Sequence, residues 1–441
     1  MAKKVGMISL GCPKNQVDAE IMLSKLQNGG FEIVVDPCEA DVVIVNTCGF
    51  IEDAKRESIE NILDMISYKE DCENLKVLVT GCLAERYQAE IFDEIPETDA
   101  VIGIGANDDI CEICDRIING EKVESFPPKT DLKIEGDRIL TTPRYSAYLK
   151  IAEGCSNHCT YCAIPSIRGP FRSRPSESIL AEAKKLADSG VKELVVVAQD
   201  TTRYGEDLYG KNALAPLLKA LSMVEGIEWI RLLYLYPERI DDALIDEIAN
   251  NDKIVKYMDI PLQHCNKNVL KRMNRHGDRE SLTALLNKIR EKIPGVTIRT
   301  TFIAGFPGET EEEFNELCEF VGEMRFERMG CFAYSEEEGT PAVKLDGMMD
   351  FEIRQERADI INENQNVILD EINDSLIGKA LSTIVEGYDP YSDSYYGRTY
   401  MDAPEIDTQI YFTCGYDLND GDIVDVEVIN VIDGELTGEV I

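Results

Sequence analysis

Residues 153–169 read EGCSNHCTYCAIPSIRG and place Cys155, Cys159 and Cys162 within eight residues, directly after the apolar, strand-like stretch 148–152. Iron–sulfur cubanes that serve electron transfer take four cysteines. Three thiolates leave one iron of a 4Fe-4S cluster without a protein ligand, and an open iron is a place for a small molecule to bind and react. A zinc knuckle is the competing reading. Zinc takes four N/S ligands, however, and His158 lies inside the loop, badly placed to complete a tetrahedron.

Around this loop the chain alternates strand and helix patterns. Between 145 and 335 the runs AYLKIAEG, ELVVVAQD, IEWIRLLYLYP, KYMDIPLQ, TIRTTFIAGFPG and RMGCFAYS are separated by amphipathic stretches such as SESILAEAKKLADSG. Six βα steps fall short of a complete eight-step barrel and predict an open partial (β/α)6 barrel within 141–374. Its C-terminal strand ends form the catalytic edge, which carries the three-cysteine loop.

Upstream, VGMISL, EIVV, ADVVIVNT, KVLVTG and AVIGIG predict a parallel α/β sheet domain over 1–140. Cys12, Cys48 and Cys82 follow three of these runs at separations of 36 and 34 residues, about one βαβ unit each. All three thiols are expected at the carboxyl edge, where open α/β sheets bind ligands. Together they read as a second three-thiolate cluster site; taken singly, each fits a cysteine packed at a strand end. The Pro-rich linker SFPPKTDLKIEGDRILTTPR joins the two units. Downstream, 351–376 predicts an amphipathic helix. The runs LSTIVEGY, YYGRTY, TQIYFTC, DIVDVEVINVIDG and LTGEVI predict a small antiparallel β-barrel over 375–441.

A chain of 441 residues accommodates these three domains at about 150 residues each. With 83 acidic against 45 basic residues, its net charge of −38 repels nucleic acid at long range and attracts basic partners. The 14 cysteines are too scattered for a disulfide framework, and the opening MAKKVGMISLG is no apolar leader. The longest apolar runs are of strand length, well short of the roughly twenty residues of a membrane span. A reducing cytoplasm is therefore expected.

The spacing of Cys155, Cys159 and Cys162, with Tyr161 before the last, resembles the signature of radical S-adenosyl-L-methionine (SAM) enzymes. Combined with the dispersed N-terminal cysteines and a terminal barrel of the TRAM, OB-like kind, the whole chain is similar to the methylthiotransferase family. That resemblance implies two 4Fe-4S clusters: one on Cys155, Cys159 and Cys162 that cleaves SAM to a 5′-deoxyadenosyl radical, and a sulfur-supplying one on Cys12, Cys48 and Cys82. It implies two SAM per turnover, as methyl donor and as radical source, and an electron donor such as flavodoxin or ferredoxin. TFIAGFPGET resembles the family's adenine-contacting segment, with Ile303, Gly305 and Glu309 at the matching places, while Gln199 and Asp200 of VVVAQD offer polar contacts. No catalytic acid or base is singled out.

Two stretches, ISLGCPKNQVDAE with its Pro13 and Lys14, and YYGRTYMDAPEID, resemble the branch that modifies the β-carbon of an aspartate on small-subunit ribosomal protein twelve. The tRNA-modifying branch typically carries GCQMN or GCKVN instead. A barrel that holds tRNA must neutralise phosphates. This one has only Lys379 and Arg398 against fourteen acidic residues, a better match to a basic ribosomal protein than to tRNA. A non-catalytic iron–sulfur sensor is a third reading. Among lesser features, His264 and Cys265 read as cavity lining or packing, and Cys111 and Cys114 as an inward helical face. Cys38, Cys72, Cys318, Cys331 and Cys414 read as structural, and SEEEGT as a solvated loop.

Overall fold

In the computed structural model, which describes residues 3–72 and 74–441, the first third of the chain forms a six-stranded sheet. Its order is β2 (Phe31–Ile33), β1 (Lys3–Ser9), β3 (Val42–Thr47), β4 (Lys76–Gly81), β5 (Ala100–Ile102) and β6 (Val123–Ser125), all parallel. Helices cover both faces, so β3 and β4 are buried almost throughout and show no alternation. The sixth strand, β6, has no counterpart among the expected strands and ends on Ser125, where the expected linker begins. Its three residues VES offer a single buried apolar side chain, Val123, too little for any periodic signal.

The second sheet contains β7 (Ser146–Lys150), β10 (Glu193–Val197), β11 (Trp229–Leu232), β12 (Ile254–Asp259), β13 (Thr297–Ala304) and β14 (Arg328–Ala333). They pair in sequential order and in parallel, which is the expected six-step partial barrel. A short antiparallel pair, β8 (Ala152–Glu153) with β9 (Arg172–Ser173), closes the base of the three-cysteine loop. The helix Phe351–Leu376 packs along β14, where the Asn362 side chain bonds both the N–H and the carbonyl of Cys331.

The third unit is a closed five-stranded barrel of β15 (Ala380–Asp389), β16 (Ser394–Thr399), β17 (Ile410–Thr413), β18 (Ile423–Ile432) and β19 (Glu435–Val440). It departs from the expected purely antiparallel pattern, because β17 and β19 pair in parallel. β19 folds back on β18 as a hairpin and presents its other edge to β17 in the same direction. The run YYGRTYMDAPEID seats this unit on the partial barrel. Arg398 reaches Glu193, Asp402 accepts from Arg328, Asp407 accepts from Tyr257, and Arg231 donates to the Tyr400 carbonyl. Glu386 and Asp422 pair with Arg398 and Lys192, so part of the barrel's acidic excess is neutralised internally.

Two further expectations are corrected. Cys38 and Cys72 are bonded to each other, their Cα atoms 5.3 Å apart, although nothing in their spacing suggested partners. SEEEGT is a solvated loop only in part: Glu336, Glu338 and Gly339 are exposed, but Glu337 is buried and receives Arg86 at 2.7 Å and Lys55 at 3.3 Å from the N-terminal unit. Among the described residues no helix is long and apolar enough to cross a membrane.

Candidate functional site

Cys12, Cys48 and Cys82 follow β1, β3 and β4, three neighbouring strands, at one edge of the sheet. Each has a glycine beside it in sequence, and two of these glycines show how tightly the segments meet. A Cβ on Gly11, at φ +86°, would lie 2.6 Å from Cys48 Cβ and 2.8 Å from its Sγ. A Cβ on Gly81, at φ +94°, would collide with the backbone of Thr47 and with Asn46 Oδ1. Asn15 locks the edge by donating to the carbonyls of Leu10 and Thr47, while Ser58 bonds both backbone groups of Cys48.

Electrostatics separate the three thiols. Burial opposes ionisation of Cys12, but Lys14, Arg168 and the N–H groups of Asn15 and Lys14 outweigh it and hold the thiol below its ordinary value. Burial raises Cys48, with the Cys12 charge adding to it. Cys82 is pushed up to about 12 by burial, against the pull of Arg168, whose Nη2 donates to its sulfur at 3.3 Å.

The second triad lies on the loop between β8 and the helix Ile164–Arg168. Burial raises Cys155 to about 11 despite the Asn157 N–H, and raises Cys162 as well, with Cys159 adding to both shifts. Asp200, one of the expected polar contacts, instead accepts from Asn157 at 2.8 Å and so fixes the loop. Tyr161 packs into a cluster with Phe306 and Ile303.

The end of β4 meets the helix that follows the three-cysteine loop. Cys82 packs directly against Ala163, the residue after Cys162, and Ile167. Between the sheets lies a buried network that the sequence did not reveal. Arg168 donates to Asp18 at 2.5 Å, Glu153 at 3.2 Å and Asn15 at 3.0 Å, and Lys150 pairs with Asp18 and Glu153. Burial disfavours the Glu153 carboxylate, yet Lys150 and Arg168 bring it down to about 2. Glu153 and Arg168 flank the quoted cysteine run, and two charges in so apolar a setting were the available signal.

The expected SAM-facing residues divide. Gln199 donates to Glu153 at 3.1 Å and keeps its Oε1 buried without a hydrogen-bond partner. Ile303 is half-buried beside Tyr161. Glu309 is engaged within the protein, accepting from Arg357 at 2.6 Å and the Gly305 N–H at 3.1 Å, with His264 at 3.4 Å. Gly305, at φ +71°, is close-packed on Arg354, where a Cβ would come within 2.5 Å of Cγ. Cys111 and Cys114 lie on one helix packed against the first sheet. A groove of about 710 Å³ lined by Arg138, Glu182 and Lys185 lies apart from the cysteines.

Each donor set consists of three free thiols, the ligand type and number of a 4Fe-4S cluster with one open iron. Among the described residues no three Cys, His, Asp or Glu side chains converge on a single metal-sized point.

Residues 4–103 match the family described as Uncharacterized protein family UPF0004, 149–321 the Radical SAM superfamily and 377–441 the TRAM domain. Relatives named "Ribosomal protein uS12 methylthiotransferase RimO" match over the full length. The one from Acetivibrio thermocellus is 49% identical, covering 100% of this chain and 99% of its own. The one from Caldanaerobacter subterraneus subsp. tengcongensis is 51% identical, covering 99% and 100%. Among solved structures, the radical S-adenosylmethionine methyltransferase TsrM from Kitasatospora setae superposes with a TM-score of 0.57 at 15% identity over 78% of this chain and 77% of that one. That likeness shows the fold.

Proposed function

The chain belongs to the RimO family of ribosomal protein uS12 methylthiotransferases, and on that footing we propose that it inserts a methylthio group at the β-carbon of an aspartate of uS12. Cys155, Cys159 and Cys162 would hold one 4Fe-4S cluster and Cys12, Cys48 and Cys82 another, with two SAM per turnover. When bound, these groups supply hydrogen-atom abstraction from an unactivated carbon and the sulfur that replaces the hydrogen. The observation that supports the reading is the packing of Cys82 against Ala163 and Ile167, which brings the end of β4 onto the three-cysteine loop.

The protein's own residues orient the two thiol sets. Arg168 ties the Cys82 edge to the end of the Cys155 loop, and Asp200 holds that loop through Asn157. Gln199 and Ile303 supply a polar and an apolar contact for SAM, while Glu309 and Gly305 shape the strand end that carries Ile303. Exposed acids on β18 and β19, among them Asp425, Glu427 and Glu439, favour a basic protein substrate over tRNA. Electrons come from a flavodoxin- or ferredoxin-type donor, and the reaction belongs in the cytoplasm with the ribosome.

The test is expression in a host lacking its own methylthiotransferases, with mass spectrometry of uS12 and nucleoside analysis of tRNA. A methylthio group on one uS12 aspartate is expected. Methylthio-adenosine with unmodified uS12 would overturn the reading. Replacement of Cys12, Cys48 and Cys82 by alanine should preserve SAM cleavage and abolish insertion.

A further inference from the structure

Of the three loop sulfurs, those of Cys155 and Cys162 face the backbone N–H groups of Asn157 and Ile164, whereas that of Cys159 meets a side chain. The Tyr236 hydroxyl lies 3.9 Å from Cys159 Sγ, within hydrogen-bond reach of a sulfur. Between a free thiol and a phenol either group can donate. A thiolate that binds iron has no proton to give, so Tyr236 is the donor once the site is loaded.

The surrounding segments fix this pair. Both neighbours of Cys159 are tied to one turn: the His158 carbonyl accepts from Asn274 at 3.0 Å, while Thr160 donates through its N–H to Met273 at 3.0 Å and through its hydroxyl to Arg272 at 2.8 Å. Arg275, the next residue of that turn, is 6% exposed and lays its guanidinium 4.0 Å from the centre of the Tyr236 ring. Its Nη2 donates to the Pro261 carbonyl at 2.7 Å, and the Tyr236 N–H donates to Thr202 Oγ1 at 3.1 Å. Segments that follow β10, β11 and β12 thus hold cation, ring and sulfur together. A cation on a phenol face draws electron density from the ring, which makes the hydroxyl a better donor.

We propose that Tyr236, backed by Arg275, is a positioning residue for the reduction step: its O–H, donated to Cys159 Sγ, raises the reduction potential of the cluster on the Cys155 loop. This rests on the reading above, in which that loop holds a 4Fe-4S cluster. The flavodoxin- or ferredoxin-type donor is oxidised by one electron, the cluster gains that electron, and Tyr236 keeps its proton. The added negative charge is shared by the ligand sulfurs, so a donor on Cys159 stabilises the reduced form more than the oxidised one.

The test is a reductive titration of the full chain carrying its clusters, read by electron paramagnetic resonance at set potentials. The signal of the Cys155 site is the one that remains when Cys12, Cys48 and Cys82 are replaced by alanine. Tyr236→Phe keeps the ring on Arg275 and the wall it gives to an outer groove of about 410 Å³, so solvent exposure, another influence on potential, stays the same. At a fixed potential the ratio of reduced to oxidised cluster should fall about fivefold, the worth of one net hydrogen bond. For one electron that is a shift of about 40 mV to more negative potential. The Cys12 site should not move and serves as the internal reference. Iron content shows that the variant is loaded; if it fails to load, Arg275→Gln should shift the potential in the same direction. An unshifted potential in loaded Tyr236→Phe, or in Arg275→Gln where that variant decides, overturns the proposal, and so does failure of both variants to load, which would make the pair structural. A wild-type chain whose Cys155 site gives no reducible signal would instead refute the reading on which the proposal rests.

Discussion

Replacing Arg168 by leucine isolates the contribution of the buried network. The guanidinium holds Asp18, Glu153, Asn15 and Cys82, and Lys150 is then the one cation left for two buried carboxylates. Exchanging an entire buried ionic cluster for apolar groups is often neutral, but removing one partner leaves a charge uncompensated and costs about 3–5 kcal/mol. For a unit of this size that corresponds to roughly 10 °C in Tm. The single tryptophan, Trp229, lies in β11 and reports unfolding of the partial barrel, so apo protein can be followed by its fluorescence during heating or in urea. A second variant checks the cause. Adding Glu153→Gln to Arg168→Leu removes the surplus negative charge, so more than half of the lost stability should return, a strongly non-additive pair. If Arg168→Leu unfolds within about 1 kcal/mol of wild type, or the double variant is less stable than the single one, charge compensation is not what this network provides.

Gly81→Ala places a Cβ against Thr47 at a left-handed φ, and should destabilise the first unit by about 2–4 kcal/mol. It should also lower iron bound by the Cys12, Cys48 and Cys82 site, with the Cys155 site retained, as read by iron analysis and spectroscopy. Glu193 joins the partial barrel to the terminal barrel; burial disfavours its charge, but Arg398 and Arg231 outweigh this and bring its pKa from 4.5 to about 2. Its folded value lies below the unfolded one, so its contribution of about 3 kcal/mol is present above pH 5 and is lost as pH falls toward 2. Glu193→Gln should flatten the acid limb of the stability–pH curve; an unchanged limb would assign acid sensitivity elsewhere.

The strands of both parallel sheets and the five barrel strands were legible because their signals are local. Continuous apolar runs such as VVIVNT or ELVVV can be buried only in a sheet covered on both faces, and a cysteine at the end of such a run must emerge at the carboxyl edge. The long helix Phe351–Leu376 was readable for the same reason. The short β6 was not, because three residues carry no period.

What only the tertiary structure decided is which charges meet. Arg168 and Asp18 are 150 residues apart, Arg86 and Glu337 251, and Arg398 and Glu193 205. A buried ion pair between such positions has no spacing rule, and its members look in sequence like ordinary surface charges. The helix Pro13–Asn28 shows the difference. Its Asn15, Asp18 and Glu20 are buried because the partial barrel supplies Arg168 and Lys150, and the linker Arg138, as partners. Sequence by itself determined the three units, one triad at strand ends and the other on the loop after a strand, since hydrophobic periodicity is a property of neighbours. Bringing Cys82 onto the three-cysteine loop required long-range packing that no local pattern encodes.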